Sequence, residues 1–211
     1  MKKALLISAG RQVSKELIEK YPDRFIIVAD GGARLLMKYD LGADILLGDL
    51  DSIGEEALDY IKEHKIEVKK FPAKKDFTDT ELALSYLVDE GYKDIVILGA
   101  LGTRLDHELA NLLNLKKLYK KGISAKIEDD YNEVIYVEEG SYDFVRTNKK
   151  YFSLINAGDR MNFTTKGLYY EVEDLEINSE NPSRGVSNEM VGDSATIKIN
   201  QGSAFIIQSR D

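Results

Sequence analysis

Two carboxylates stand two residues apart at Asp49 and Asp51, directly after the apolar run Ile45–Leu47 and Gly48. Carboxylate oxygens suit a hard cation such as Mg²⁺, which proteins usually hold with one or two carboxylates together with substrate phosphates. A pair of aspartates can also do no more than open a polar turn before a helix. The pair therefore predicts a Mg²⁺ site for a phosphorylated substrate, provided that other acids lie nearby.

Further acids occur at the same kind of position, shortly after an apolar run. They are Asp30, Asp76, Asp79 and Asp106, which follow the runs at Phe25–Ala29, Val68–Phe71 and Ile95–Leu98. The carboxyl ends of parallel strands meet at one edge of a sheet, so we expect these acids to converge. Convergent carboxylates repel one another unless a cation compensates them. Each acid alone could be a turn or helix-cap residue, but their common placement favours a metal site.

Glycines and basic side chains accompany these acids. Gly31, Gly32, Gly99 and Gly102 would let the backbone come close to a phosphate, because they carry no Cβ. The sequence has neither a G-x-x-x-x-G-K-[ST] phosphate loop nor a G-x-G-x-x-G turn after its first predicted strand. We therefore expect a nucleotide to be held through metal, lysines and Arg104, whose guanidinium matches phosphate oxygens.

The elements that must position these residues alternate up to about residue 128. Short apolar runs separated by amphipathic stretches are typical of βαβ units with a mostly parallel sheet. The predicted strands are Ala4–Ile7, Phe25–Ala29, Ile45–Leu47, Val68–Phe71, Ile95–Leu98 and Ala125–Ile127, and the predicted helices are Val13–Lys20, Ala33–Tyr39, Glu55–Glu63, Asp79–Glu90 and Asp106–Lys121. Thr78 and Glu81 can form a capping box, and we expect Leu109, Leu112, Leu113 and Leu118 in the core.

From about Glu133 the pattern changes to short β-type runs separated by turn residues. These runs are Val134–Val137, Tyr142–Val145, Tyr151–Leu154, Arg160–Phe163, Leu168–Val172, Ala195–Ile199 and Ala204–Ile207. Such spacing suggests a small antiparallel sandwich. We therefore predict an α/β fold with two domains: a Rossmann-like, mostly parallel sheet with helices at residues 1–130, and a smaller all-β sandwich at residues 131–211.

The composition excludes several classes of function. The 29 basic and 37 acidic residues give a net charge of −8, which argues against a nucleic-acid partner. The chain has no cysteine, so thiol catalysis and disulfides are excluded. No segment approaches the ~20 apolar residues that cross a bilayer, and the first apolar run is too short for a signal peptide. We expect no membrane contact and a cytoplasmic location.

Four motifs in order resemble the thiamine pyrophosphokinase family: A-D-G-G-A at 29–33, L-G-D-L-D-S at 47–52, K-D-x-T-D-T-E at 75–81 and G-A-L-G-T-R-L-D-H at 99–107. The resemblance continues through G-L-Y-Y at 167–170, V-S-N-E at 186–189 and Gly202–Ile207, so it covers nearly the whole chain. It implies an α/β catalytic domain that binds ATP and Mg²⁺, and a β domain that helps bind thiamine. It also implies a homodimer with active sites between subunits, and transfer of diphosphate from ATP to the thiamine hydroxyl with release of AMP.

The resemblance implies a role for individual residues. It makes Asp49, Asp51 and Asp79 the metal acids and adds Arg104 and Asp106 to the catalytic set. The nucleotide side would comprise Asp30, Gly31, Gly32, Lys75, Asp76, Thr78, Gly102, Arg104 and His107. The thiamine side would comprise Asp79, Tyr170, Ser187 and Asn188. Tyr170 stands where eukaryotic relatives carry Trp, and it could face the cationic thiazolium or pack in a strand.

Some alternatives stay open at this point. Asp79 or Asp106 could accept the hydroxyl proton, and His107 could contact substrate or only occupy the first turn of a helix. The β domain could complete its own active site or that of the partner. A regulatory module that binds nucleotide or metal is a second class. An aspartyl-phosphate phosphatase fits less well, because its Asp-x-Asp follows the first core strand, which here leads into Ser8-Ala9-Gly10.

Overall fold

The computed structural model describes residues 1–48, 55–70, 77–102 and 104–211, except for the side chains of Asp30 and Glu55. The chain divides into two compact units, Met1–Asp130 and Tyr131–Asp211. Within the described ranges, no helix is both long enough and apolar enough to cross a membrane.

The first unit is a parallel sheet with helices between its strands. Its strands are β1 (Lys3–Ile7), β2 (Phe25–Ala29), β3 (Ile45–Leu47), β4 (Glu67–Lys69), β5 (Asp94–Leu98) and β6 (Ser124–Glu128). Its helices are α1 (Lys15–Glu19), α2 (Ala33–Tyr39), α3 (Glu55–Glu63), α4 (Asp79–Asp89) and α5 (Leu105–Lys120), with a short 3₁₀ turn at Asp30–Gly32. The described strands pair in parallel in the order β4-β3-β2-β1-β5-β6.

The strand order reverses beside β1, and this reversal places the site. The chain builds outward from β1 through β2, β3 and β4, then returns to place β5 on the other side of β1. The side chains of Ala4–Ile7 and Ile95–Leu98 are almost fully buried, as continuous apolar runs are when a parallel sheet is covered on both faces. In such sheets a crevice opens at the carboxyl ends of the strands where the order reverses.

Helix α5 corrects one expectation from the sequence. Leu118 is buried as predicted, but Leu109 and Leu113 are 53% and 60% exposed, so they lie outside the core. The buried face of α5 carries two asparagines, and the Asn111 side-chain amide donates to the Ala100 carbonyl oxygen at 2.7 Å. Two faces of this helix carry leucines, and a buried asparagine with a backbone partner costs little. Leucine spacing alone therefore could not identify the inner face.

The second unit is antiparallel throughout its described pairings. Its strands are β7 (Asn132–Val137), β8 (Gly140–Val145), β9 (Tyr151–Asn156), β10 (Arg160–Lys166), β11 (Leu175–Asn178), β12 (Asn188–Glu189), β13 (Ser194–Gln201) and β14 (Ala204–Ser209). They form two layers, β12-β9-β14-β7 and β11-β10-β13-β8. Phe152 and Ile206 of one layer share a core with Phe163 and Ile197 of the other. The predicted fold class, a mostly parallel α/β sheet followed by a β sandwich, is confirmed.

The predicted strand Leu168–Val172 is wrong. Leu168 makes only an isolated bridge with Met190. The backbone of this segment has mixed partners: the N–H of Tyr169 donates to the Glu189 carbonyl oxygen, whereas the N–H of Tyr170 donates to Asn188 Oδ1 and that of Val172 to Thr165 Oγ1. Strand β11 and the two-residue strand β12 were not predicted, because both are short and lie among turn-forming residues.

Candidate active site

A cavity of about 430 Å³ lies in the first unit at the carboxyl ends of β1, β2 and β5. Its walls come from the segments after these strands and from the first turns of α4 and α5. The residues that line it are Ser8, Ala9, Gly10, Arg11, Ala29, Gly31, Thr78, Asp79, Thr80, Gly99, Ala100, Leu101, Gly102, Arg104, His107, Glu108 and Asn111. A volume of this order is typical of a site for a small organic ligand.

The loops that follow β1 and β5 are hydrogen-bonded to each other and form one side of the cavity. The N–H of Gly10 donates to the Gly99 carbonyl oxygen at 2.7 Å, and the N–H of Arg11 donates to the Leu101 carbonyl oxygen at 2.6 Å. A Cβ on Gly10 would lie 2.4 Å from both of these oxygens, so only glycine fits there. Gly99 has a φ of +64°, a conformation that glycine adopts without strain.

Helix α4 begins at the cavity. Thr78 caps it, because its Oγ1 accepts from the N–H of Glu81 at 3.2 Å. The Thr78 half of the predicted capping box is thus present, while the Glu81 carboxylate accepts from Lys117 at 2.7 Å. Asp79 is exposed, whereas Thr80 is buried and its hydroxyl lies 2.5 Å from that of Ser8. The first N–H groups of a helix and its dipole favour an anion at this end.

Arg104 and Asp106 form a two-pronged ion pair at the start of α5. Arg104 donates through Nη2 to Asp106 Oδ2 at 2.6 Å and through Nε to Oδ1 at 3.3 Å. The hydrogen bond from Arg104 lowers the pKa of Asp106 below its ordinary value, and the same bond raises the pKa of Arg104. Both side chains are about two-thirds exposed, so the pair is accessible to a ligand.

The structure brings together part of the predicted site. Gly31, Thr78, Asp79, Gly102, Arg104 and His107 all line the cavity, and Asp106 is held against Arg104. Gly32 does not line it: a Cβ there would lie 2.7 Å from the Ile7 carbonyl oxygen, so this glycine permits close packing against β1. Asp49, Asp51, Lys75, Asp76 and the side chain of Asp30 lie outside the described residues.

The predicted metal set can be examined only at Asp79. Its carboxylate has the oxygen donors that Mg²⁺ prefers, and it faces a cavity large enough for a metal-bound phosphate chain. Over residues 1–48, 55–70, 77–102 and 104–211, no three His, Asp or Glu side chains form a group that could hold a metal.

Several cavity residues were not predicted from the sequence. Ser8, Gly10 and Arg11 follow β1, while Thr80 and Asn111 come from the two helices. The available signal was Gly10, three residues after the end of a buried apolar strand, since that is where an open α/β sheet binds ligands. This loop carries no known phosphate-binding motif.

In the second unit, Asn188 holds the segment that carries Tyr170. Its side-chain Nδ2 donates to the Tyr170 carbonyl oxygen at 2.8 Å, and its Oδ1 accepts from the Tyr170 N–H at 3.0 Å. The Tyr170 ring is 66% exposed and meets Tyr169 edge-on, with ring centroids 4.8 Å apart. The alternative that Tyr170 packs inside a strand is therefore wrong.

Ser187 precedes Asn188 in a left-handed conformation, with φ +60°. Its N–H donates to Ser153 Oγ at 3.0 Å, and its side chain is exposed. A small cavity of about 80 Å³ lies beside Tyr170, Asn188 and Arg184. This is well below the ~300 Å³ at which ligand-enclosing pockets begin. In this unit the residues predicted to bind thiamine thus lie on an open surface and do not line an enclosed pocket of ligand size.

Comparison with known proteins decides the family. The model of the thiamin pyrophosphokinase catalytic domain matches residues 16–127, and the model of the thiamin pyrophosphokinase vitamin B1 binding domain matches residues 135–204. The chain belongs to the thiamin pyrophosphokinase family. The thiamine pyrophosphokinase of Bacillus subtilis (strain 168) is 30% identical over 166 residues, which covers 78% of this chain and 77% of that protein.

Solved structures of thiamin pyrophosphokinases have the same fold. The structure from Bacillus subtilis superposes with a TM-score of 0.90 at 25% identity and covers 100% of both chains. The structure from Geobacillus thermodenitrificans gives a TM-score of 0.85 at 26% identity and covers 99% of this chain and 98% of its own. The predicted family and enzyme class are confirmed: the chain is a transferase of the kinase type that acts in thiamine chemistry. This favours the enzyme over the regulatory module and the phosphatase.

Proposed function

We propose that this thiamin pyrophosphokinase family member transfers diphosphate from ATP to the hydroxyl of thiamine in a Mg²⁺-dependent reaction that yields thiamine diphosphate and AMP. One observation carries the proposal: a glycine-lined cavity at the reversal of strand order receives the N-terminus of α4 and the Arg104–Asp106 pair. Backbone N–H groups, a helix dipole and a guanidinium are the groups that bind a phosphate chain.

In this mechanism most of the catalysis is positioning and charge compensation. The triphosphate lies along the cavity, with the first turn of α4 and Arg104 facing its oxygens. Asp49, Asp51 and Asp79 would hold Mg²⁺, which when bound neutralises phosphate charge and makes the β-phosphorus more electrophilic. Asp30, Gly31, Lys75, Asp76 and His107 would contact the nucleotide.

The transfer step exchanges one phosphorus–oxygen bond for another. The thiamine hydroxyl oxygen attacks the β-phosphorus in line. The bond between the β-phosphorus and the oxygen that bridges it to the α-phosphorus breaks, and AMP departs with that oxygen. A carboxylate near the hydroxyl accepts its proton. Asp79 and Asp106 are the candidates for this carboxylate, because Asp79 lines the cavity and Asp106 is held against Arg104, which also lines it.

Thiamine would be recognised by the second unit. The exposed Tyr170 ring can offer its face to the positively charged thiazolium, and Asn188 fixes the backbone that carries this ring. The exposed Ser187 hydroxyl is available for a polar contact. The net charge of −8 suits a cationic substrate and argues against nucleic acid, and we expect the enzyme to work in the cytoplasm.

One incubation tests the proposal. The full chain is mixed with ATP, Mg²⁺ and thiamine, and nucleotides and thiamine species are separated. AMP and thiamine diphosphate should form in equal amounts, and EDTA should stop the reaction. Formation of ADP and thiamine monophosphate would overturn diphosphate transfer, and ATP binding without AMP would support the regulatory module.

Asp51→Asn should abolish turnover that depends on Mg²⁺, and a near-normal rate would remove Asp51 from the metal site.

We also propose that the enzyme is a homodimer. Leu105, Leu109 and Leu113 are each more than half exposed and lie four residues apart, so they form one apolar stripe along α5. Acids stand in the first turn of α5, and Lys117 and Lys120 stand in its last turn. Two antiparallel copies of α5 would therefore pair opposite charges and opposite dipoles across a two-fold axis. Such self-complementarity is what a symmetric dimer requires.

Leu109→Glu tests the dimer, because Leu109 is the middle leucine and would place two like charges near the axis. Mass photometry should show a dimer for the unchanged chain and a monomer for Leu109→Glu, with Lys62→Glu, at an exposed position on α3, as the matched control. A monomeric unchanged chain, or a dimer that survives Leu109→Glu, would contradict this interface. Loss of turnover in the folded monomer would favour active sites shared between subunits.

A further inference from the structure

Arg11 stands in the loop after β1, where the cavity opens. Its N–H is held by the Leu101 carbonyl oxygen at 2.6 Å, next to Gly10, which fixes its Cα at the wall of the cavity. Its side chain lines the cavity and is 51% exposed. The residue is thus anchored through its backbone while its guanidinium can meet a ligand.

Asp129 lies behind Arg11 and is almost completely buried. In the register of β5 and β6, Leu98 pairs with Glu128, so Asp129 follows at the level of the loop that begins with Gly99. Asp129 is 2% exposed, and its Oδ2 lies 3.9 Å from Nη1 of Arg11. A buried carboxylate is costly unless a cation compensates it. The pair therefore biases the direction in which the Arg11 guanidinium points.

The geometry fits an anion and disfavours a cation. A guanidinium has five N–H donors, and the Arg11 side chain is 51% exposed at the cavity, so the oxygens of a ligand can reach it. Arg104 presents two of its N–H groups to Asp106 at hydrogen-bond distance, and Nη1 of Arg11 lies 3.9 Å from Asp129 Oδ2. Arg11 would repel thiamine, whose thiazolium is positive, and would attract phosphate oxygens.

We propose that Arg11 binds the phosphate chain of ATP and that Asp129 is a positioning residue that orients Arg11 for this contact. The inference rests on the proposed function and adds to it a binding residue and its orienting partner. Phosphate contacts in this cavity would then come from both sides: from Arg11 in the loop after β1, and from the start of α4 together with Arg104.

Steady-state kinetics of the full chain test the proposal, with the concentrations of ATP and thiamine varied separately. Arg11→Gln should raise KM for ATP about 10- to 100-fold, as expected for loss of hydrogen bonds between charged groups, and change KM for thiamine less than threefold. Arg11→Lys keeps the positive charge but lacks the paired N–H donors of the guanidinium, so it should give an intermediate KM for ATP. Arg160→Gln, an exposed arginine at the start of β10, is the matched control and should leave both KM values unchanged.

The role of Asp129 is tested by asking whether the effect of its substitution on KM for ATP depends on Arg11. Asp129→Asn should raise KM for ATP in the unchanged chain and add little in the Arg11→Gln background, because removal of the oriented group removes the effect of orienting it. Should Asp129→Asn fail to fold, Asp129→Ser takes its place, because the proposal needs only the loss of the carboxylate. An equal rise in both backgrounds would overturn the positioning role.

The results separate this inference from the proposed function. If the unchanged chain forms AMP and thiamine diphosphate but Arg11→Gln keeps a normal KM for ATP, the role of Arg11 is overturned and the function stands. If Arg11→Gln raises KM for thiamine instead, Arg11 serves the other substrate and the inference fails. If the unchanged chain forms neither product, the proposed function fails first, and binding of ATP measured by calorimetry still decides the role of Arg11.

Discussion

At the scale of single residues, Asp79 and Asp106 differ in their surroundings. Asp106 is fixed by two hydrogen bonds from Arg104, which lower its pKa and satisfy both of its oxygens. Asp79 stands exposed in the first turn of α4 and faces the cavity. The sequence predicted that both acids lie at one edge of the sheet. It could not predict that Asp106 is paired with an arginine, because the Arg104–Asp106 geometry depends on how α5 begins.

Asp79→Asn should lower kcat about 100-fold or more, as expected when a metal ligand or proton acceptor is lost. Asp79 is exposed, and the cap of α4 comes from Thr78, so the melting temperature should stay nearly unchanged. Asp106→Asn is the matched comparison, and we expect it to reduce kcat less. Both rates are measured at saturating ATP and thiamine. A larger loss in Asp106→Asn would assign the proton acceptor to Asp106 instead.

At the scale of elements, the sequence predicted best where local pattern and burial agree. β2, β3, α2 and α3 have the predicted bounds, because their apolar periodicity coincides with what the sheet covers. Leu109, Leu113 and the segment Leu168–Val172 were misjudged, because which face is covered and which partner satisfies a backbone are decided by residues far away in sequence. The cavity loop after β1 was missed for the same reason: its partner loop begins about 90 residues later, at Gly99.

Gly10→Ala tests this pairing of loops. The added Cβ would lie 2.4 Å from the carbonyl oxygens of Gly99 and Leu101, so the two loops must separate. We expect a loss of about 1–3 kcal/mol in the free energy of unfolding, as for other overpacked sites, together with a raised KM for ATP. Gly42→Ala is the matched control, because a Cβ there meets nothing within 4 Å. Urea denaturation and ATP kinetics measure the two effects, and equal behaviour of both variants would contradict the pairing.

At the scale of the whole molecule, an ion cluster around the buried Glu128 joins residues that are far apart in the sequence of the first unit. Glu128 at the end of β6 is 1% exposed and accepts from Lys20, at 2.8 Å, and from Tyr21, both more than 100 residues earlier in the chain. Burial acts to raise the pKa of Glu128, but the hydrogen bonds from Lys20 and Tyr21 and the charge of Lys126 outweigh it and lower the pKa to about 2. The ordinary value is 4.5, so the folded state holds the charged form more strongly than the unfolded chain does.

This lowered pKa predicts how stability depends on pH. A group with a lowered pKa in the folded state contributes stability above its unfolded pKa, and the contribution is lost as pH falls from about 4.5 towards about 2. Glu128→Gln should therefore lower the free energy of unfolding by about 1–3 kcal/mol at pH 7, and the difference should shrink as pH falls through that window. Glu56→Gln, at an exposed position on α3, should show no such difference. Urea denaturation of the full chain between pH 2 and pH 7 measures this; a Glu128→Gln difference that stays constant across the window would show that packing, not charge, sets the effect.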